Sequence, residues 1–267
     1  MTPQNEIFAR LDGATRIWAV AAIHGDADRL RTLHERLFPK LLTGDRLIYL
    51  GNFLGIGPDI IGTIDELLAA RAEALCVPGM EPWDICYLRG AQEEMWDKLL
   101  QVQFAPNPGE VLDWMYDNGV TATLEAYGGN PEMGRRCARD GAVALTQWTT
   151  SLREAMHLHP GHDALISELK RAGIAQDMGF MFVNAGINRN ESLEEQRDAF
   201  WWGGAAFAGK DEPFGDFRLI IRGYDPAHGG KAIGRHTATI DGGCGWNGTL
   251  NAACIGPDGT FLEWIEV

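Results

Sequence analysis

The N-terminal third of this chain repeats one pattern: a short apolar run, a glycine-bearing turn, then apolar residues at helical spacing. Residues 16–22 form the first run. Asp26 follows as an N-cap, and Leu30, Leu33, Leu37 and Leu41 recur at near-helical intervals. Residues 46–51 form the second run. Pro58 then opens a helix carrying Ile60, Ile61, Ile64, Leu67 and Leu68. Residues 85–88 predict a third strand and 92–100 a third helix. Alternation of this kind implies βαβ units on a parallel sheet.

The middle of the chain reads differently. Residues 94–176 are mostly helical in pattern, with helices expected over 111–116, 142–156 and 163–172. Gly128-Gly129-Asn130-Pro131 and His159-Pro160-Gly161 mark the turns. No flexible linker flanks this stretch, so it reads as a helical insertion or cap inside one domain spanning 1–267. Short strands return at 180–184, 218–222, 236–240, 249–255 and 261–265, separated by Gly, Asp and Asn turns.

Composition excludes some function classes. The 267 residues carry a formal net charge of −14, which disfavours bulk binding to nucleic acid. No apolar run approaches the roughly 18 residues of a membrane span. Residues 1–6 are polar and carry no basic-then-apolar export signal, so a cytoplasmic protein is expected. The 5 cysteines form no C-x-x-C pair, against a disulfide framework or a cysteine zinc ribbon.

Three loops sit where strands should end and helices begin: AAIHG at 21–25, GNFLGIGP at 51–58 and RGAQE at 89–93. With NAG at 184–186 and GYD at 223–225, they resemble in order the motifs of the calcineurin-like metallophosphoesterases. The similarity is to the bacterial branch of serine/threonine phosphatase and diadenosine-tetraphosphatase type, and it spans residues 16–264 apart from the helical stretch. It implies a four-layer α/β/β/α sandwich. In that family the motifs read G-D-x-H-G, G-D-x-x-D-R-G, G-N-H-E, H-A-G and G-H-T. They hold two metal ions that activate a water for in-line displacement at phosphorus.

The resemblance also shows what this chain lacks. The first metal-binding aspartate falls on Ala22 and the bridging aspartate on Asn52. The G-N-H-E asparagine falls on Ala91, and the last two histidines fall on Asn184 and Tyr224. Only His24 remains among the implied ligands. The general acid falls on Gln92, its supporting aspartate on Gly55 and a phosphate-binding arginine on Ile56. A second arginine, implied near Trp201-Trp202, is replaced by Gly203-Gly204. Hard, charged ligands are what hold two dications together, so no dinuclear site, no metal-dependent phosphoesterase activity and no cofactor are expected.

The replacements are mostly amides, which predicts a cleft that stays polar and wet. Its candidate ligand-binding residues are His24, Asn52, Arg89, Gln92, Asn184, Arg222, Tyr224 and Asp225. The resulting expectation is a pseudophosphatase-like protein that binds a small molecule or protein partner through this cleft, or does metal-free chemistry there. Two alternatives stay open. One is a phosphoesterase with one weakly held metal on His24, Asn52, Asn184 and a recruited Asp26, Asp59 or Asp225. The other is a structural or interaction subunit with a vestigial cleft. The sequence leaves the oligomeric state open.

Three further features compete for attention. His157, His159 and His162 invite a zinc reading, but they lie at a predicted helix end beside Pro-Gly and lack a partner carboxylate or cysteine at motif spacing. Trp201-Trp202 suits packing between the helical stretch and the sheet better than a partner anchor. Residues 242–245 (GGCG) lead from one strand to another and read as a β-turn.

Overall fold

A computed structural model describes residues 7–204, 207 and 212–267. The polar residues 1–6, read above for an export signal, lie outside the described residues. In chain order the first elements are β1 (Phe8–Arg10), β2 (Arg16–Val20), α1 (Ala27–Leu37), β3 (Asp45–Tyr49), α2 (Ile60–Ala74), β4 (Ile85–Tyr87) and α3 (Ala91–Leu99). The middle holds α4 (Pro108–Asp117), α5 (Val120–Ala126), α6 (Pro131–Asp140), α7 (Ala142–His157) and α8 (His162–Ser167). Then come β5 (Ala172–Ala175), β6 (Phe180–Val183), α9 (Ala199–Trp202), β7 (Leu219–Arg222), β8 (Ala232–Ile233), β9 (Thr237–Thr239), β10 (Asn251–Ile255) and β11 (Phe261–Glu266).

Local chemistry starts the two long crossover helices, the first at Asp26 as the sequence implies, the second at Asp59, which leaves Pro58 just outside the helix it was expected to open. Asp26 accepts from the Arg29 N–H at 3.1 Å and Asp59 from the Gly62 N–H at 2.8 Å, each satisfying a donor of the first turn. Leu30, Leu33 and Leu37 are buried on one face of α1.

Two sheets stack. One has the order β11-β10-β2-β3-β4 and the other β1-β5-β6-β7-β9-β8. Ile17, Ala19, Ile48 and Leu50 of the first sheet meet Phe180, Phe182, Leu219 and Ile221 of the second in one apolar layer. The other face of the first sheet packs, through Trp18, Leu47 and Tyr49, against α1, α2 and the helices of the middle. The outer face of the second sheet, with Met181, Val183 and Ile220, is covered by Ile187, Phe200, Trp201 and Phe217. That outer layer is mostly loop, with the four-residue α9 as its helix.

Register brings the loops together. Val20 pairs with Tyr49 and Tyr49 with Tyr87, so β2, β3 and β4 end level. Val183 pairs with Arg222, so β6 and β7 also end level. The Ala22 N–H donates to the Gly223 carbonyl at 3.0 Å and ties the two sheet ends together.

One expected helix is corrected. Residues 163–172 do not run through as helix: α8 ends at Ser167, and Ala172 begins β5, between β1 and β6. Small residues explain the strand. A Cβ on Gly173 would come within 2.4 Å of Ile48 Cδ1 of the facing sheet, so a larger residue there would have to push Ile48 aside. The last residues of the expected helical stretch 94–176 are therefore sheet. Strands β1 and β8 carried no sequence signal.

Candidate functional site

The loops after β2, β3 and β4 are locked to one another by main-chain contacts. His24 and Asn52 both adopt positive φ (55° each), a conformation that His and Asn reach more readily than most residues. The Asn52 carbonyl accepts from the N–H groups of Ile23 at 3.1 Å and His24 at 2.7 Å, joining the first two loops. The Glu93 carboxylate accepts from the N–H groups of Asn52 (2.9 Å), Leu54 (2.9 Å) and Gly90 (2.8 Å), joining the second loop to the third. Burial pushes the Glu93 carboxyl above its ordinary value, while these donors pull the other way. Gly90 is obligatory here, since a Cβ would lie 2.3 Å from Asn52 Oδ1.

Four side chains converge on this junction. Asn52 Oδ1 accepts from the Gln92 N–H at 3.1 Å, Asn184 Nδ2 donates to the Leu50 carbonyl at 2.6 Å, and Gln92 Nε2 donates to the Asn118 carbonyl at 3.0 Å. The remaining polar atoms, His24 Nδ1 and Nε2, Asn52 Nδ2, Gln92 Oε1 and Asn184 Oδ1, are buried without a hydrogen-bond partner. The side chains that bear them lie in two pairs, His24 with Gln92 and Asn52 with Asn184. A point beside Gly55 is 3.0 Å from His24 Nδ1 and 3.1 Å from Gln92 Cδ, and a point beside Gly90 is within 2.9 Å of both the Asn52 and Asn184 amides. His24 is held neutral: burial first, and the neighbouring His228 second, lower its pKa from 6.5 to about 3.

An aromatic cover closes over His24. The Trp246 ring stands edge-on to it at 4.5 Å and Tyr224 at 5.3 Å, and His228 lies 4.1 Å from Trp246. Burial, then Asp241 and Asp225, push the Tyr224 hydroxyl up to about 12. The turn bearing Trp246 is latched at both ends. The Cys244 thiol donates to the Ile23 carbonyl at 3.1 Å, and Arg29 donates to the Gly248 carbonyl. The middle helices close the other side. Gly119 lies against Ile56, with no room for a Cβ, and the Gly55 N–H donates to Thr123 Oγ1 at 3.2 Å. The site is polar, as expected, but it is not an open, wet cleft: Asn52 and Asn184 are fully buried and His24 is 1% exposed.

The other expected site residues are placed elsewhere or committed. The Arg222 guanidinium is used up by Asp225 (3.0 Å), Thr239 Oγ1 (2.8 Å), the Gly204 carbonyl (3.2 Å) and the Phe207 ring. Arg89 pairs with Glu94 at 2.8 Å and Asp97 at 3.5 Å, beside a separate pocket lined by Lys98, Arg171 and Trp201. Ala22 and Ala91 are small and buried, as is the turn at Gly55. Asp26 and Asp59 are spent as helix caps, and Asp225 on Arg222 and the Ala227 and Gly229 N–H groups.

The donor set does not fit two metal ions of the kind the motifs imply. Beside His24 stand neutral amides, which are poor ligands for dications, and the nearby carboxylates Glu93, Asp225 and Asp241 are engaged by backbone N–H groups. Among the described residues no cluster of three or more His, Cys, Asp or Glu is arranged to hold a metal. His162 is committed to Tyr127 and Asp65, and His157 to Asp163 and the Arg153 carbonyl. Trp201 is buried in the outer layer, the packing expected for the pair, whereas Trp202 meets Trp114 of α4 edge-on at 5.6 Å and stays 42% exposed.

Sequence reasoning missed the cover and the lock. Trp246 sits in the 242–249 turn, which reads only as a connection between strands. His228 lies four residues past Tyr224 and becomes part of the site through a positive φ of 51°. The hydrogen-bonding role of Glu93 was hidden in the third loop, whose other residues drew the attention.

No family model matches the chain. It is 24% identical, over 87% of its length and 89% of the other protein, to the symmetrical bis(5'-nucleosyl)-tetraphosphatase of Pseudomonas fluorescens. Among solved structures it superimposes on a proposed diadenosine tetraphosphatase with a TM-score of 0.58 at 16% identity, covering 97% of this chain and 96% of the other. A cold-active protein tyrosine phosphatase of a Shewanella species gives a TM-score of 0.51 at 12% identity, covering 97% and 82%. The architecture is that of the calcineurin-like metallophosphoesterases, an α/β fold with two stacked sheets and flanking helices.

Proposed function

We propose that this phosphoesterase-family relative works without a dinuclear metal centre, as a pseudophosphatase that binds a small ligand where the family's metal loops converge. One observation carries the reading: the buried, unpaired polar atoms of His24, Asn52, Gln92 and Asn184. Each such atom costs about 1–3 kcal/mol when left without a partner. A set of this kind is best accounted for by a guest that supplies the missing hydrogen bonds. The guest is small and neutral. Neutral His24 and three amides offer both donors and acceptors, and the guanidiniums of Arg222 and Arg89 are spent elsewhere. A phosphate dianion would meet no compensating charge from these groups, whereas an amide, urea or hydroxyl group would pair with them.

The name of the Pseudomonas relative favours a phosphoesterase instead, and metal analysis decides between the two. Protein purified with manganese is expected to hold less than one metal per chain, to melt at the same temperature with and without chelator, and to leave nitrophenyl phosphate intact. Two bound metals with turnover overturn the proposal. Crystals soaked in acetamide test the ligand chemistry. Density for acetamide against His24 and Asn52 supports it, and a soak in which phosphate alone enters the site refutes it.

A further inference from the structure

A cavity of about 570 Å³ lies mostly between the fourth and fifth motif loops in sequence but shares no residue with any of the five. It sits in the loop layer over the second sheet, and its size is that of a small-molecule site. Arg189 is its cation. Nη1 donates to the Glu212 carbonyl at 2.8 Å, which fixes the guanidinium plane. The opposite edge, Nε and Nη2, is buried and has no partner. Those two N–H groups point in parallel and match the two oxygens of a carboxylate. A buried guanidinium edge without an acceptor is costly, so the arrangement is that of a donor fork prepared for an anion.

The surroundings define the rest of the ligand. Glu191, Glu194, Glu212 and Asp216 line the same cavity, so a phosphate dianion or a dicarboxylate would be repelled. A monocarboxylate carrying its own ammonium group would be matched on both sides. Leu193, Phe214 and Phe217 supply an apolar wall, and Phe214 and Phe217 exchange main-chain hydrogen bonds at 3.2 and 3.0 Å. The loop bearing Arg189 is pinned in advance. Buried Gln196 accepts from the Asn188 N–H at 2.7 Å and donates to the carbonyls of Asn188, Glu191 and Ser192.

We propose that this cavity is a binding site for a zwitterionic α-amino acid with an apolar side chain, its carboxylate on the free edge of Arg189, its ammonium among the carboxylates and its side chain against Phe214 and Phe217. The site is independent of the ligand proposed at His24.

Calorimetry with L-phenylalanine, N-acetylphenylalanine and phenylalaninamide tests it on the full chain. Phenylalanine is expected to bind, and each derivative, lacking one charge, to bind about tenfold or more weaker. Arg189→Gln should abolish binding. Arg189→Lys, which keeps the charge but lacks the fork, should retain only a fraction of it, and circular dichroism confirms that both variants fold. The proposal is overturned if phenylalanine does not bind up to about 10 mM, if Arg189→Lys binds as tightly as the parent, or if inorganic phosphate binds better than phenylalanine.

Discussion

Two kinds of buried histidine stand in this molecule. His34 and His162, in the helical layers, use both ring nitrogens: His34 with Glu66 at 2.6 Å and the Tyr49 hydroxyl at 2.9 Å, His162 with the Tyr127 hydroxyl at 2.8 Å and Asp65 at 3.0 Å. His24, at the strand ends, uses neither. All three are at most 3% exposed. Elsewhere, then, this chain satisfies its buried imidazoles in full, as the cost of an unpaired polar group requires. The contrast sets the strand-end site apart and is the ground for proposing a guest there. Structural histidines fasten helices together; the His24 ring has no such task.

The sharpest way to break this contrast is to replace each imidazole by an apolar ring. His162→Phe strands the buried Tyr127 hydroxyl and is expected to cost about 2–3 kcal/mol. His24→Phe strands no described partner and should change stability by less than about 1 kcal/mol in ligand-free protein. Urea unfolding of both variants measures the difference. Equal losses would mean that His24 is an ordinary structural residue.

Acid provides a second, smaller test. In the folded chain His24 is depressed from 6.5 to about 3, so the unfolded state takes up a proton first as pH falls. The stability this group contributes is complete above pH 6.5 and is lost progressively as pH falls toward 3. At about 1.4 kcal/mol per pH unit, roughly 2 kcal/mol disappears between pH 6.5 and 5. His24→Phe should remove that share of the acid sensitivity. A variant as acid-sensitive as the parent would place the titrating group elsewhere.

Much of the frame was legible in the sequence because it rests on local signals. Asp26 caps its helix, β2, β3 and β4 end within two residues of the apolar runs, and the motif loops sit at the expected junctions. What was not legible depends on long-range contact. Ala172–Ala175 became a strand of the second sheet, with Gly173 close against Ile48 of the first, which no helical period reveals. Arg222 looked free to bind a ligand, but Asp225, Thr239 and Phe207 converge on it only in the folded chain. The closure over His24 was hidden for the same reason: Trp246, Ile56 and Gly119 come from three distant segments, and none signals the others.

The smallest expected effect isolates what keeps His24 dry. Trp246 is 39% exposed, so Trp246→Ala should cost only about 1 kcal/mol. Its consequence for His24 is larger than for the fold. Burial is the leading cause of the depressed His24 pKa, with His228 second, so removing the cover should raise it toward 6.5, while His228→Asn should raise it less. Titration of the His24 ring protons by NMR reads both. Should Trp246→Ala leave the pKa near 3, the seal would be the work of Ile56 against Gly119, and the 242–249 turn would not be the door through which a ligand reaches the unpaired amides.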